Sequence, residues 1–188
     1  MKKAGQELLT TNFGLIKKEY ESYYTKLMRS GKFPLRPTKF GYWGYSAIKD
    51  VFEVFKKFDL KRYKNFIDLG SGDGKVVLVA SLFTDAAGFE LDRELFKKSI
   101  EIKNNVLKKI ELNEIKILNK DYLDEDLSKY EVIYHYPDKP MHEVENKLLK
   151  EMNNSAILIH YGNYFFPLQL KLIKKIDFNG MGVGIYKI

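Results

Sequence analysis

The run Phe66-Ile67-Asp68-Leu69 passes directly into Gly70-Ser71-Gly72-Asp73-Gly74-Lys75 and then Val76-Val77-Leu78-Val79-Ala80. An apolar run broken by closely spaced glycines reads as a buried strand turning sharply into a helix. Glycines at alternate positions let the backbone bend and let a ligand approach without Cβ interference. A helix beginning near Lys75 is expected to aim unpaired N–H groups over the loop. Glu90 follows twenty positions after Gly70 and closes a second apolar run, Ala86-Ala87-Gly88-Phe89. An acid at the tip of the next strand is placed to accept two hydrogen bonds from a ribose diol. A strand–loop–helix of this kind commits the chain to an α/β fold around a parallel sheet.

The dinucleotide fingerprint Gly-x-Gly-x-x-Gly is not met, because Lys75 stands where its last glycine belongs. The pattern is Asp68-x-Gly70-x-Gly72-x-Gly74, which resembles motif I of class I methyltransferases. That resemblance implies S-adenosylmethionine as cofactor, held by Asp68, Gly70, Ser71, Gly72 and Glu90. Such a ligand carries an α-amino group in place of a pyrophosphate, so a carboxylate suits it better than bare N–H groups. The bland alternative is a glycine-rich turn with no ligand; the spacing of Glu90 and a further acid at Asp121 weigh against it.

Strands and helices alternate after this loop, with strands near 65–69, 86–90, 115–119, 131–136 and 155–161. Helices are expected over 75–83, 92–110 (with Asp92 as N-cap) and 140–152. The tail differs: Leu170–Phe178, the turn Asn179-Gly180-Met181-Gly182 and Val183–Lys187 read as an antiparallel hairpin. The expected fold is α/β, a Rossmann-like seven-stranded mixed sheet with a C-terminal antiparallel hairpin and an N-terminal helical extension. Residues 1–45 are read as an N-terminal helix and aromatic loop, and 46–188 as the cofactor-binding domain.

In the N-terminal part, Leu9, Phe13, Ile16, Tyr20, Tyr23 and Leu27 form one helical stripe. Gly14 within it costs up to about 1 kcal/mol and predicts a bend or fray. Ser30-Gly31 and Pro34 stop the helix. Residues 33–45 hold two prolines and two glycines, together with the chain's one Trp and four further aromatics. The segment reads as a loop that either covers the ligand site or packs on the sheet edge. Ser46 is expected to cap a helix whose apolar face is Ile48, Val51, Phe52, Phe55 and Phe58.

In such sheets ligands bind beyond the carboxyl ends of the strands. Asp121 is there to accept from an adenine amino group, with Tyr122 or Leu91 as the residue flanking the ring. The fourth tip, Tyr134-His135-Tyr136-Pro137-Asp138, is where a methyl acceptor is expected, with His135 and Tyr136 as candidate catalytic residues. Methyl transfer depends mainly on positioning, so strong acid–base help is optional. His135 and His160 end neighbouring strands, but no third ligand is apparent and no metal site is expected.

A longer resemblance rests on Asp68-Leu69-Gly70-Ser71-Gly72-Asp73-Gly74-Lys75, the strand end Phe89-Glu90-Leu91, and Leu148-Leu149-Lys150-Glu151-Met152. Together these are similar to archaeal seven-stranded protein lysine methyltransferases and their mitochondrial and non-SET histone relatives. The resemblance covers about residues 35–188 and implies a lysine acceptor. It also adds Thr38 to the cofactor residues, since Pro37-Thr38 matches part of a segment that closes over the cofactor in that family. The rest of that segment does not match, and the strand-four tip departs in carrying His135 and Tyr136. Tyr134, Tyr136, Tyr161 and Tyr164 are the rings expected to line a channel for a lysine stem.

The alternatives are an RNA methyltransferase and a small-molecule methyltransferase. Through Lys64 the chain carries fifteen Lys and Arg against six Asp and Glu, +9, leaving −2 for the remainder of a +7 total. A basic leader favours nucleic acid, an acidic protein or simply a solvated face. Tyr136-Pro137-Asp138 resembles part of the Pro-Asp-Pro-Trp segment of guanine-seven tRNA methyltransferases, without its second Pro and its Trp. The absence of cysteine excludes disulfides and thiolate chemistry. No apolar run approaches the roughly 20 residues of a membrane span, and Met1–Glu7 lacks a signal-like apolar core. A cytoplasmic protein with no membrane partner is expected; the sequence defines no oligomeric state.

Overall fold

The computed structural model describes residues 2–188, with side chains from Gly5 onward; Met1, included in the expected N-terminal unit, lies outside the described residues. Helix α1 (Lys2–Arg29) runs without interruption through Gly14. Tertiary packing outweighs the glycine penalty. Phe13 stacks on Phe52 with ring centroids 3.9 Å apart, and Ile16 and Tyr20 are fully buried. The buried stripe continues to Tyr24, whereas the expected Tyr23 is only partly covered. Gly31, with φ +75°, ends the helix as the N–H groups of Ser30 and Lys32 both reach Leu27 O.

The aromatic segment is more ordered than a loop. Strands β1 (Arg36–Pro37) and β2 (Tyr42–Trp43) pair antiparallel, closed by a hydrogen bond from Thr38 N to Gly41 O. Helix α2 (Ile48–Lys57) then buries Ile48, Val51, Phe52 and Phe55, as its sequence implies. Ser46 does not cap it: Ala47 occupies the N-cap position, and Ser46 is instead buried in the wall of a cavity.

The main sheet contains β3 (Asn65–Leu69), β4 (Asp85–Phe89), β5 (Ile115–Leu118), β6 (Val132–His135), β7 (Ile157–Tyr161), β8 (Lys171–Phe178) and β9 (Met181–Lys187). Their order is β5-β4-β3-β6-β7-β9-β8; the first five are parallel, and β9 and β8 run antiparallel to their neighbours. The mixed seven-stranded sheet and its C-terminal hairpin therefore match the expectation. The hairpin turn is tighter than expected, with Asn179 at φ +53° and Gly180 at +82° joining strands that begin again at Met181.

Helices α3 (Lys75–Ala80) and α4 (Arg93–Leu107) pack with α1 and α2 in one apolar layer. Helix α5 (His142–Glu151) helps form the opposite layer with Ile67, Leu69, Ile133 and Leu158. Along β3 the core alternates, sending Phe66 into the first layer and Ile67 and Leu69 into the second. The strand order reverses between β3 and β6, so their carboxyl ends open the crevice in which this type of sheet takes ligands.

Gly88 on β4 lies where a Cβ would stand 2.6 Å from Val77 and 2.7 Å from the Ser71 side chain. Gly88→Ala therefore overpacks the contact between β4, α3 and the glycine loop, with an expected cost of about 1–3 kcal/mol. Thermal unfolding followed by circular dichroism should show a midpoint lowered by several degrees.

Candidate active site

A cavity of about 290 Å³ opens over the carboxyl ends of β3, β4 and β6. All eleven residues expected from sequence line it: Thr38, Asp68, Gly70, Ser71, Gly72, Glu90, Leu91, Asp121, Tyr122, His135 and Tyr136. Their side chains differ in what they leave available.

The glycine loop is braced from within. Gly70 N and Ser71 N both donate to Phe89 O, Gly74 N donates to Ser71 O, and Gly72 N donates to Glu90 Oε2 at 2.6 Å. These four N–H groups of the loop are therefore engaged within the protein. Gly70, Gly72 and Gly74 all have φ between +55° and +79°. A Cβ on Gly72 would meet the Trp43 ring at 3.0 Å, so only glycine allows the indole to lie against the loop. The Ser71 hydroxyl turns beneath the loop toward Gly88.

The floor of the cavity carries an excess of buried acid. Asp68, Asp73 and Glu90 are each no more than 8% exposed, with Lys75 as the buried cation among them. Burial pushes Asp68 well above the usual carboxylate range; Glu90 and Asp73 nearby add to the rise and Lys75 opposes it. No described residue donates a hydrogen bond to the Asp68 carboxylate. Burial likewise raises Glu90, against hydrogen bonds from Asp92 N (2.7 Å) and Gly72 N. Lys75 is lowered to about 8 by desolvation, which outweighs the pull of Asp73 and Asp68. A cavity floored by an unsatisfied carboxylate fits a cationic ligand such as an α-ammonium group, and is poorly suited to phosphate.

Toward the β5 side, Asn119 donates to Glu90 O at 2.7 Å and Leu91 O at 3.0 Å, holding that strand tip in place. Asp121 accepts from Leu123 N through Oδ1, which aligns the short turn carrying Tyr122. Tyr122 meets the His135 ring edge-on at 5.9 Å. On the open side, the Thr38 hydroxyl donates to Gly41 O and accepts from Phe40 N, so it shapes its own turn. Asp138 accepts from Tyr42 N at 2.5 Å, tying the β1–β2 hairpin to the end of β6. Any Cβ at Gly41, where φ is +151°, would collide with that carboxylate. The hairpin both covers the site and packs: Trp43 is 7% exposed, whereas Tyr42 is 58% exposed at the rim.

His135 Nδ1 pairs with Leu69 O at 3.2 Å, which puts the proton on Nδ1 and leaves Nε2 as acceptor. Desolvation lowers its pKa to about 4, so the ring is neutral and weakly basic at neutral pH. Burial raises Tyr136, which stays a neutral phenol. His160 pairs with His135 in the strand register, but its Nε2 meets Tyr164 O at 3.1 Å. Among the described residues no three potential ligand side chains gather as a metal site requires. Of the rings expected to line a channel, Tyr134 reaches the cavity floor and Tyr164 the surface, while Tyr161 belongs to the core against Tyr134 and Tyr136.

A second recess of about 200 Å³ adjoins the cavity, and Tyr42, Gly44, Tyr136 and Asp138 line both. Sequence reading passed over Asp138, Asn119, Tyr24 and the buried pair Asp73 and Lys75 as site residues. The pair falls inside the glycine motif, yet nothing local to it signals burial.

This fold, with its acid-floored cavity at the β3–β6 crossover, is that of the class I methyltransferases, which use S-adenosylmethionine. The RNA methyltransferase from Salinibacter ruber, solved in complex with S-adenosyl-L-homocysteine, superposes with a TM-score of 0.66 at 19% identity, covering 77% of this chain and 94% of its own. The putative methyltransferase yhhF from Escherichia coli gives 0.57 at 16%, covering 74% and 84%. A SAM-dependent methyltransferase from Aquifex aeolicus gives 0.58 at 14%, covering 73% and 88%. At these identities the likeness is one of fold. No curated protein matches the sequence. The family described as "Histone methylation protein DOT1" matches residues 38–176, and the chain belongs to that family. The protein is a SAM-dependent methyltransferase, and among its described helices none is long and apolar enough to cross a membrane.

An ammonium brought beside Asp68 favours the ionised carboxylate, so ligand binding lowers a pKa that burial had raised. Cofactor binding below neutrality should therefore release up to about one proton. Titration calorimetry with S-adenosylhomocysteine at mildly acidic pH, in buffers of different ionisation enthalpy, should detect the release, and Asp68→Asn should abolish it.

Proposed function

We propose that the protein N-methylates lysine side chains of a protein substrate. The observation that carries this reading is the recess beside the cofactor cavity: Tyr42, Tyr136, Tyr164 and Phe165 line it, with Asp138 as its one charged side chain. Aromatic faces hold the aliphatic stem of a lysine and attract its ammonium, by about 0.5–2 kcal/mol per favourable contact. Asp138 adds a carboxylate at the entrance that draws cations and disfavours anionic acceptors. Membership of a family described by histone methylation agrees with a protein acceptor.

When bound, the cofactor supplies an activated methyl group; the chain's task is to bind, orient and dehydrate the acceptor amine. Asp68, Gly70, Gly72, Glu90, Leu91, Asp121 and Tyr122 are the residues we assign to cofactor binding, with Trp43 closing over Gly72 and Thr38 shaping the covering turn. Tyr136 stands where the recess meets the cavity and is assigned to orienting the amine. His135, with a pKa near 4, is too weak a base to draw a proton from an ammonium at neutral pH. Its proposed part is to hold the end of β6 through Leu69 O. The amine then loses its proton to water, helped by desolvation among the rings.

A second reading, RNA methylation, is favoured by the basic residues Lys120 and Lys139 around the cavity mouth, beside rings able to stack an unpaired base. One experiment separates the two. The protein is incubated with methyl-labelled S-adenosylmethionine and a cell lysate, which is then split between protease and nuclease. Label lost to protease and recovered as methyl-lysine supports the proposal; label lost to nuclease alone overturns it. On the protein substrate, Tyr136→Ala should slow transfer about tenfold or more, equivalent to at least about 1.4 kcal/mol. Tyr136→Phe should stay within about threefold, and the wild-type rate should climb as pH rises above 7 and the free amine becomes more abundant.

A further inference from the structure

Helix α1 lies outside the family match, which begins at residue 38. It nevertheless reaches the centre of the cofactor loop. The Tyr20 hydroxyl donates to Asp73 O at 3.0 Å, and the Tyr24 hydroxyl donates to the Asp73 carboxylate. The Lys75 ammonium donates to the same Tyr24 hydroxyl at 2.9 Å. Tyr24 therefore bridges the acid and the base of the glycine loop. Its ring also lies under the ammonium at 5.0 Å, while the Tyr45 ring covers it at 4.1 Å.

Asp73 sits between Gly72 and Gly74, the two residues of the loop least able to hold a conformation unaided. Its own backbone tie is a 3.3 Å contact from Lys75 N to Oδ1; the two tyrosines of α1 supply the others. Asp73, Gly72 and Lys75 all line the cofactor cavity. Lys75 is 3% exposed, so its ammonium depends on Tyr24, the two rings and the neighbouring carboxylates. Without the Tyr24 hydroxyl, acid and base must pair directly or separate, and either movement displaces the loop.

We infer that Tyr24 is a positioning residue for the cofactor: by bridging Lys75 and Asp73, its hydroxyl makes helix α1 part of the cofactor-binding unit. The inference rests on the cofactor and is independent of whether the acceptor is lysine or RNA.

Trp43, the chain's single Trp, rests on Gly72 and reports on the same loop. Fluorescence titrations with S-adenosylhomocysteine compare wild type, Tyr24→Phe and Tyr23→Phe. Tyr23→Phe removes a neighbouring hydroxyl that makes no hydrogen bond to the loop. With folding verified by circular dichroism, Tyr24→Phe should weaken binding about tenfold. It should also red-shift Trp43 emission in the ligand-free protein, with saturating ligand restoring the wild-type spectrum. Tyr23→Phe should stay within twofold. If Lys75→Met also folds, the double variant Tyr24→Phe/Lys75→Met should bind no more weakly than Lys75→Met alone, since both act through one contact. A folded Tyr24→Phe protein with wild-type emission and affinity within twofold overturns the inference, as do fully multiplicative effects in the double variant.

Discussion

The structure of the site depends on a balance of charge buried beneath the glycine loop. Asp68 and Asp73 with Glu90 outnumber Lys75 in a space almost closed to water. Buried charge is costly unless it is paired, and here the pairing is incomplete by design of the chain: one carboxylate, Asp68, faces the cavity without a donor. The cost appears as an acid pushed up and a lysine pushed down toward neutrality. The signs have consequences for the ligand-free protein. A carboxyl raised on folding loses its stabilising contribution as pH climbs through the folded value, so Asp68 burdens the fold at neutral pH. Lys75, lowered on folding, burdens it below about 8 and is relieved above. A cationic group in the cavity offsets the Asp68 burden directly.

That balance explains why the loop differs from a phosphate cradle built on similar glycines. Phosphate sites leave backbone N–H groups free to point at the ligand. Here those of Gly70, Ser71 and Gly74 are tied to carbonyls and that of Gly72 to Glu90. Glu90 consequently has two tasks, facing the cavity and bracing the loop. The same economy recurs at Asn119, which holds the backbone of Glu90 and Leu91, and at Asp121, which aligns the turn bearing Tyr122.

Two segments distant in sequence join to close the site. Trp43 presses on Gly72 from the β1–β2 hairpin, and Asp138, beyond β6, fastens that hairpin through Tyr42 N. The residue that tethers the cover thus also lines the recess beside the cavity. From beneath, α1 reaches Asp73 through two tyrosines. The glycine loop, which has little rigidity of its own, is held by Trp43 and by the two tyrosines of α1.

Much of this was legible in the sequence wherever the signal is local. The alternation of apolar runs and helical stripes determined the parallel strands, and Asn179-Gly180 determined the terminal hairpin. The spacing of Asp68, the glycines, Glu90 and Asp121 pointed to one set of strand tips, and these residues do line a single cavity. Periodicity also identified the N-terminal helix, because one apolar face repeats along it. Other features depend on contacts between segments that no local pattern encodes. Gly14 did not interrupt α1, whose neighbours Phe13 and Ile16 pack on the body. Ser46 did not cap α2, and Tyr161 went into the core. The pKa of His135 follows from its burial, which its place at a strand end does not reveal. Most clearly, Lys75 reads in sequence as an ordinary first-turn lysine, and Tyr24 as one aromatic among several. Only the docking of α1 on the loop, across about fifty residues of chain, made them a buried pair, because desolvation and hydrogen bonding are decided by what finally lies beside a group.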